Sequence, residues 1–306
     1  MHLLLAQPRG FCAGVRRAVE MLTSVTEKSA APVCVYHEIV HNTYVVAGFR
    51  NRGVRFVETL EEVPEGAVLV FSAHGVSPAL RDAARQRNLT VIDATCPLVE
   101  QVHQKVRQFA SREYRILYIG HPGHDEVTGI LAEAPDQITL LADVREMESL
   151  EIPAAAKAVC LMQTTLSADE TREMLRKWQI RFPQMEIPES GGICYATQNR
   201  QNAVRQLAGE ADAALIVGSA NSSNSRRLCE LASAADIPAY LIDGPQEIRP
   251  AWLDGSETVL MSAGASVPEN IVQECVHFLR NRFAATVEER VIHTENISFP
   301  VRFGSV

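Results

Sequence analysis

The 306-residue chain contains no C-x-x-C pair, which argues against a zinc ribbon or a thioredoxin-type redox motif. It has neither G-x-x-x-x-G-K-[ST] nor G-x-G-x-x-G, so nucleotide binding lacks its usual support. No apolar run approaches the roughly 20 residues of a membrane span. The apolar stretch behind the N-terminus is too short for a signal peptide. The expected compartment is therefore the cytoplasm, where thiols stay reduced. Basic residues are not in excess either. Lys and Arg total 29 against 37 Asp and Glu, a net charge of −8, which disfavours coating nucleic acid or anionic membrane. What remains is an ordinary globular composition, 46% apolar and 22% charged. A chain of this kind buries enough surface to offset its ordering entropy.

Short apolar runs alternate with helical patterns throughout. Runs at 3–6, 33–36, 68–71, 91–93, 116–119, 138–141, 159–162, 214–217, 239–242 and 259–261 are bounded by turn residues. Being apolar throughout, they fit strands covered on both faces. Between them, Val15, Val19, Leu22 and Val25 recur at helix spacing, as do Val99, Val102, Val106 and Phe109. Ser167 and Glu170 form a capping-box pair ahead of Leu175, Trp178 and Phe182. Ser266-Val267-Pro268 is expected to cap a helix carrying Ile271, Cys275, Phe278 and Leu279. The alternation indicates an α/β fold with mainly parallel strands. The end of the chain, around Asn296 to Val301, reads as an extended tail.

Three of the seven cysteines occupy one local context, a strand running out into a helix start. The first strand leads to Cys12, with a helix beginning near Gly14. The run at 91–93 leads through Ala94-Thr95 to Cys96-Pro97. Gly191-Gly192-Ile193 leads to Cys194, with Thr197 expected as N-cap of a helix over 199–207. Domain-sized spacings between them suggest three related α/β units. A helix N-terminus favours thiolate, and ligands of open α/β sheets gather beyond the carboxyl ends of the strands. Three thiolates suit an iron–sulfur cluster with one incompletely ligated iron, or a Cys₃ zinc site with an open position. Cys34, Cys160, Cys229 and Cys275 fall in strands or on apolar helix faces and fit core packing.

The strand ends carry uncharged hydrogen-bonding groups: His37 to Asn42, Ser72 to Gly75, Gly120 to Glu126, Gln163 to Thr165, Asn221 to Ser225 and Ser262 to Ser266. Such donors at helix starts make anion sites, and the ligand class they suit is a small phosphorylated molecule. His121, His124 and Glu126 have a spacing that could hold a metal, but the surrounding glycine and proline suggest a loop. Glu126 is the best acid/base candidate, since the other segments supply few carboxylates. On the residues alone, a zinc hydrolase of a phosphorylated substrate and a non-enzymatic iron–sulfur sensor stay open beside an iron–sulfur enzyme.

Taken together, the motifs resemble the 4-hydroxy-3-methylbut-2-enyl diphosphate reductase family. The matching stretches include Pro8-Arg9-Gly10-Phe11-Cys12-Ala13-Gly14, His37-Glu38-Ile39-Val40-His41-Asn42, Ser72-Ala73-His74-Gly75, Asp93-Ala94-Thr95-Cys96-Pro97, Gly120-His121-Pro122-Gly123-His124, Gln163-Thr164-Thr165, Ile193-Cys194-Tyr195 and Gly218-Ser219-Ala220-Asn221-Ser222-Ser223-Asn224-Ser225. The resemblance implies a trefoil of three pseudo-symmetric α/β units, with mainly parallel sheets, around a central [4Fe–4S] cluster that oxidation converts to [3Fe–4S]. Residues 1–13 would form the first strand and first ligand, 14–96, 97–193 and 194–282 the units, and 283–306 a tail. It implies Cys12, Cys96 and Cys194 as cluster ligands. His41, His74, Ser222, Ser223, Asn224 and Ser266 would bind the diphosphate, with His124 also lining the pocket. Glu126 would deliver the proton, and Thr164 would orient the substrate alcohol. The implied reaction is two-electron dehydroxylation to isopentenyl and dimethylallyl diphosphate, with a ferredoxin or flavodoxin type electron donor.

Overall fold

Each apolar run becomes a strand, because helices cover both sides of the sheets and leave no face for polar residues. The computed structural model describes residues 1–142, 146, 149–153, 156–188, 192–301 and 303. Among them, three sheets are formed, and every strand pairing is parallel. The α/β class and parallel sheets expected from the sequence are therefore borne out, and three separate sheets are what a three-unit trefoil requires. The chain divides into two bodies, Met1–Arg16 with Val40–Asn51 and Tyr195–Ser298, and Arg17–Ile39 with Arg52–Cys194 and Phe299–Val306.

The first body holds one sheet. It is built from β1 (His2–Gln7), β9 (Ala213–Val217), β10 (Ala239–Ile242), β11 (Thr258–Ala263) and β12 (Thr286–Val291), in the order β10-β9-β11-β1-β12. Strand periodicity splits β1 between two cores. Leu3 and Leu5 pack with Ile271, Cys275 and Leu279 of helix α9 (Glu269–Phe283). Leu4 and Ala6 pack with Val204 and Leu207 of α7 (Tyr195–Ala208) and Leu228 of α8 (Ser223–Ser233). The short helix α2 (Thr43–Asn51) belongs to the same body.

The second body holds two sheets. β2 (Val33–Tyr36), β3 (Arg55–Val57), β4 (Val68–Phe71) and β5 (Thr90–Asp93) lie in the order β3-β2-β4-β5, with α3 (Pro78–Gln86) following β4. β6 (Arg115–Ile119), β7 (Ile138–Leu141) and β8 (Ala158–Met162) lie in the order β7-β6-β8. Ile116 and Tyr118 of β6 face α4 (Pro97–Ala110) and α5 (Asp125–Leu131) through Val102, Val106 and Ile130. Leu117 and Ile119 face α6 (Ala168–Arg181) through Met174 and the buried Trp178. Helix α1 (Ala13–Lys28) follows β1, and as expected Ser167 caps α6, accepting from the Glu170 N–H at 3.3 Å.

Four local expectations need correction. β3 and β12 were not anticipated. β3 is three residues long and begins with Arg55, while β12 is a polar edge strand with most side chains exposed. Thr197 is not an N-cap, because α7 starts at Tyr195 and Thr197 is buried inside it. Ser266 does not cap α9. Its hydroxyl donates to the His41 carbonyl at 2.8 Å, and Pro268 stands at the N-cap. No described strand runs directly into Cys194, and Gly191 lies outside the described residues. Among the described residues, no helix is long and apolar enough to cross a membrane.

Candidate functional site

Each of the three singled-out cysteines stands immediately before a helix: Cys12 before α1, Cys96 as N-cap of α4 with Pro97 at N1, and Cys194 before α7. Their amides are tied alike. Cys12 N–H donates to Ala265 O at 3.1 Å, Cys96 N–H to Ala73 O at 2.9 Å and Cys194 N–H to Thr164 O at 3.1 Å. Ala265 and Ala73 directly precede Ser266 and His74 in sequence. Each cysteine is thus pinned beside a residue expected to meet substrate. All three are half-buried, and the Val15 N–H points at Cys12 Sγ from 3.5 Å. The other four differ. Burial pushes the Cys34 and Cys160 thiols up and that of Cys275 up to about 12, and burial and Glu230 raise Cys229. Those thiols are poor sources of thiolate. A half-buried thiol at a helix start is a donor type suited to an iron–sulfur group, and Cys12, Cys96 and Cys194 are each of that type.

In the first body, the segment 218–225 turns from β9 into α8. Ser222 is the N-cap, its hydroxyl accepting from the Ser225 N–H at 3.3 Å and from the Ser225 hydroxyl at 3.0 Å. A Cβ on Gly218 or Gly264 would overlap Ser225 Oγ, so both positions need glycine for close approach. Ser223 and Asn224 open the helix and are buried. Among the described residues, both side-chain atoms of Asn224 lack a hydrogen-bond partner. An unsatisfied buried amide costs about 1–3 kcal/mol, so an anion at this helix start would meet ready donors. The His41 turn is fixed from two sides. Thr43 N–H donates to Ser219 Oγ at 3.0 Å, and Ser219 in turn donates to Asp243. Ser266 holds the His41 carbonyl.

In the second body, Glu126 is the central acid. It lies in the first turn of α5 rather than in a solvated loop, and it is 2% exposed. Oε1 accepts from the Thr164 N–H at 2.8 Å and Oε2 from the Thr164 hydroxyl at 2.7 Å, while Tyr118 OH donates at 3.4 Å. Burial raises the Glu126 carboxyl above its ordinary value, against the lowering pull of Thr164, His103 and Tyr118. Thr164 therefore joins two residues through three of its own groups: its hydroxyl and amide serve Glu126, and its carbonyl receives Cys194. His124 caps α5, its Nδ1 accepting from the Glu126 N–H at 3.2 Å. That bond leaves the ring proton on Nε2. His121 instead turns to Gln163, which accepts from its N–H at 2.9 Å. The glycine-rich segment 120–124 is a loop, as expected.

Three side chains escaped the motif reading. Tyr118 lies inside β6, and its hydroxyl proton affinity is pushed well above the ordinary range by burial and Glu126. His103 is fully buried in α4, with Nδ1 2.6 Å from Glu133 Oε1. Arg200 is fully buried in α7 and donates to Gly10 O at 2.7 Å and to Glu295 at 3.0 Å, bracing the loop before Cys12. His103 and Arg200 both sit on their helices' apolar stripes, and a polar residue there is the signal that would have found them.

The family model described as LytB protein matches residues 3–280. A 4-hydroxy-3-methylbut-2-enyl diphosphate reductase of Rhodopirellula baltica is 48% identical over 301 residues, covering 98% of this chain and 94% of that one. One from Mycolicibacterium paratuberculosis is 52% identical over 273 residues, covering 89% and 82%. The structure of the E-1-hydroxy-2-methyl-but-2-enyl-4-diphosphate reductase from Plasmodium falciparum superposes with a TM-score of 0.94 at 37% identity, covering 96% of this chain and 93% of that one.

Proposed function

The chain belongs to the LytB protein family, and from that membership we propose that it reduces 4-hydroxy-3-methylbut-2-enyl diphosphate, in the cytoplasm, to isopentenyl and dimethylallyl diphosphate. The reaction breaks the allylic C–O bond. Two electrons and two protons enter; one proton leaves with the hydroxyl as water and the other adds to either end of the allyl unit. Cys12, Cys96 and Cys194 would hold a [4Fe–4S] cluster, to be found as [3Fe–4S] after oxidation. When bound, such a cluster with one iron lacking a protein ligand supplies single electrons and a Lewis acid. The electrons come from a ferredoxin or flavodoxin type donor.

The remaining work falls to side chains. His41, His74, Ser222, Ser223, Asn224 and Ser266 bind the diphosphate, Asn224 gaining the partners its buried amide otherwise lacks. For Ser266 to donate to phosphate, its hydroxyl must turn from the His41 carbonyl. His124 lines the pocket and offers Nε2–H as a donor. Thr164 orients the substrate alcohol, and Glu126 holds the proton that leaves with the hydroxyl oxygen. The observation that carries this reading is the buried Glu126 carboxyl bonded to Thr164, whose carbonyl pins Cys194. Burial raises the carboxyl above its ordinary value and so favours the protonated form that a general acid needs.

Iron, sulfide and zinc analysis of anaerobically purified protein tests the cofactor. Iron and sulfide are expected in the parent, with severe loss in Cys12→Ser, Cys96→Ser and Cys194→Ser. Zinc without iron would overturn the reading in favour of a Cys₃ zinc hydrolase.

A further inference from the structure

Next to Glu126 stands a second carboxylate, Asp125, for which the reduction has no use. It opens α5, and its two oxygens face two histidines. Oδ1 lies 2.7 Å from His37 Nδ1, and Oδ2 lies 3.8 Å from His74 Nδ1. His37 adopts a left-handed backbone, φ 54°, and its ring stacks on Tyr36 at 4.1 Å. Glu58 is the other charged group facing it, at 3.6 Å. His74 Nδ1 also lies 3.3 Å from Ser72 Oγ, which accepts as well from the His74 N–H at 3.4 Å, and the His124 ring stands edge-on at 5.8 Å. The Asp125 side chain is 20% exposed, so solvent screens these contacts only partly.

A lone carboxylate beside an anion site repels the ligand. The arrangement becomes favourable once the carboxylate's charge stabilises cations: with Glu58 79% exposed and screened by solvent, two imidazolium rings around Asp125 turn positive charge toward a ligand. Ser72 Oγ, 3.3 Å from His74 Nδ1, orients that ring and leaves Nε2 for the ligand, while Asp125 adds the charge behind it. The hydrogen bond from Asp125 already raises His37 against the opposing effect of burial.

We infer that Asp125 is a positioning residue for diphosphate binding, its carboxylate facing His74 Nδ1 as an ion-pair partner at 3.8 Å and so favouring the imidazolium that meets the phosphate oxygens, with His37 bonded to its other oxygen. The inference rests on the reading that His74 is a diphosphate ligand.

The test uses anaerobically purified holoenzyme, with KM and kcat for the allylic substrate and calorimetric affinity for inorganic diphosphate at pH 6 and pH 8. Asp125→Asn keeps the side-chain shape. It is expected to raise KM and weaken inorganic diphosphate about tenfold at pH 8, and less at pH 6, where the higher proton concentration itself favours imidazolium. The kcat should fall by less than about threefold, and Asp125→Glu should recover part of the affinity. His37→Gln leaves the carboxylate uncompensated and should weaken diphosphate too, which keeps the test open if Asp125→Asn does not fold. Unchanged diphosphate affinity in these variants, with a clear loss in His74→Gln, overturns the role of Asp125. So does a fall in kcat at unchanged KM, which would assign Asp125 to the chemistry of Glu126. Unchanged affinity in His74→Gln itself would remove the underlying reading as well.

Discussion

Replacing Glu126 by Gln separates the proton from the shape. The Gln carbonyl can still accept from the Thr164 N–H, and its amide can donate to the Thr164 hydroxyl, so the two contacts at 2.8 and 2.7 Å survive as neutral ones. Two effects on stability oppose each other. Burial raises the Glu126 carboxyl, so the folded state binds a proton the unfolded state has lost. Its contribution is complete below about 4.5 and fades as pH rises through the folded value, a penalty that Gln removes. Against this, bonds to an ionised group stabilise by about 1.5–3 kcal/mol and neutral ones by about 0.5–1.5. The balance lies within about 1 kcal/mol, so Tm should move by no more than about 4 °C. Activity should respond far more, because a positioned general acid contributes about 10²–10⁴-fold. The assay is anaerobic turnover with a chemical reductant from pH 6 to pH 9. The parent rate should fall as pH rises through the Glu126 value, since the protonated carboxyl is the working form. In Glu126→Gln, kcat should drop by the stated factor, with KM nearly unchanged and that limb absent. A variant retaining kcat within about twofold, with the same alkaline limb, would refute the proton role.

Three further outcomes are expected. Cys160→Ala should retain full iron and sulfide while Cys96→Ser loses them, because Cys160 only fills the core beside β6; equal loss in both would contradict the ligand assignment. Gly264→Ala should destabilise by about 1–3 kcal/mol in urea unfolding, since its Cβ would drive into Ser225, which Gly218 crowds from another side; an unchanged midpoint would show that Ser225 is free to turn away. The His37–Asp125 pair should stabilise the fold by about 0.5–1 kcal/mol below pH 6.5, fading as pH rises through the raised His37 value; a parent-minus-His37→Gln difference that grows with pH would have the wrong sign.

Much of the architecture was legible because parallel strands buried on both faces leave continuous apolar runs, as at Leu117 to Ile119. β12 left no such trace, since an exposed edge strand such as Thr286–Val291 carries Glu288, Glu289 and Arg290. The cysteine-to-helix junctions were readable at Cys12 and Cys96, where a strand feeds the turn. Cys194 is placed by Thr164, far away in sequence, so local pattern alone misjudged its helix start. The Glu126–Thr164 contact joins α5 to the loop after β8 and follows only from the parallel pairing of β6 with β8. Asp125 stands out in no motif of the sequence, because its two histidine partners come from the ends of β2 and β4, which no local motif connects.

Reduction by this chain turns one hydroxylated allylic diphosphate into two isoprenoid diphosphates. The direct measurement is a product assay on anaerobically purified, iron- and sulfide-loaded protein, given (E)-4-hydroxy-3-methylbut-2-enyl diphosphate and a chemical reductant. Reductant-dependent formation of isopentenyl and dimethylallyl diphosphate is the expected result. Intact substrate after prolonged incubation, or release of phosphate without either product, would contradict it.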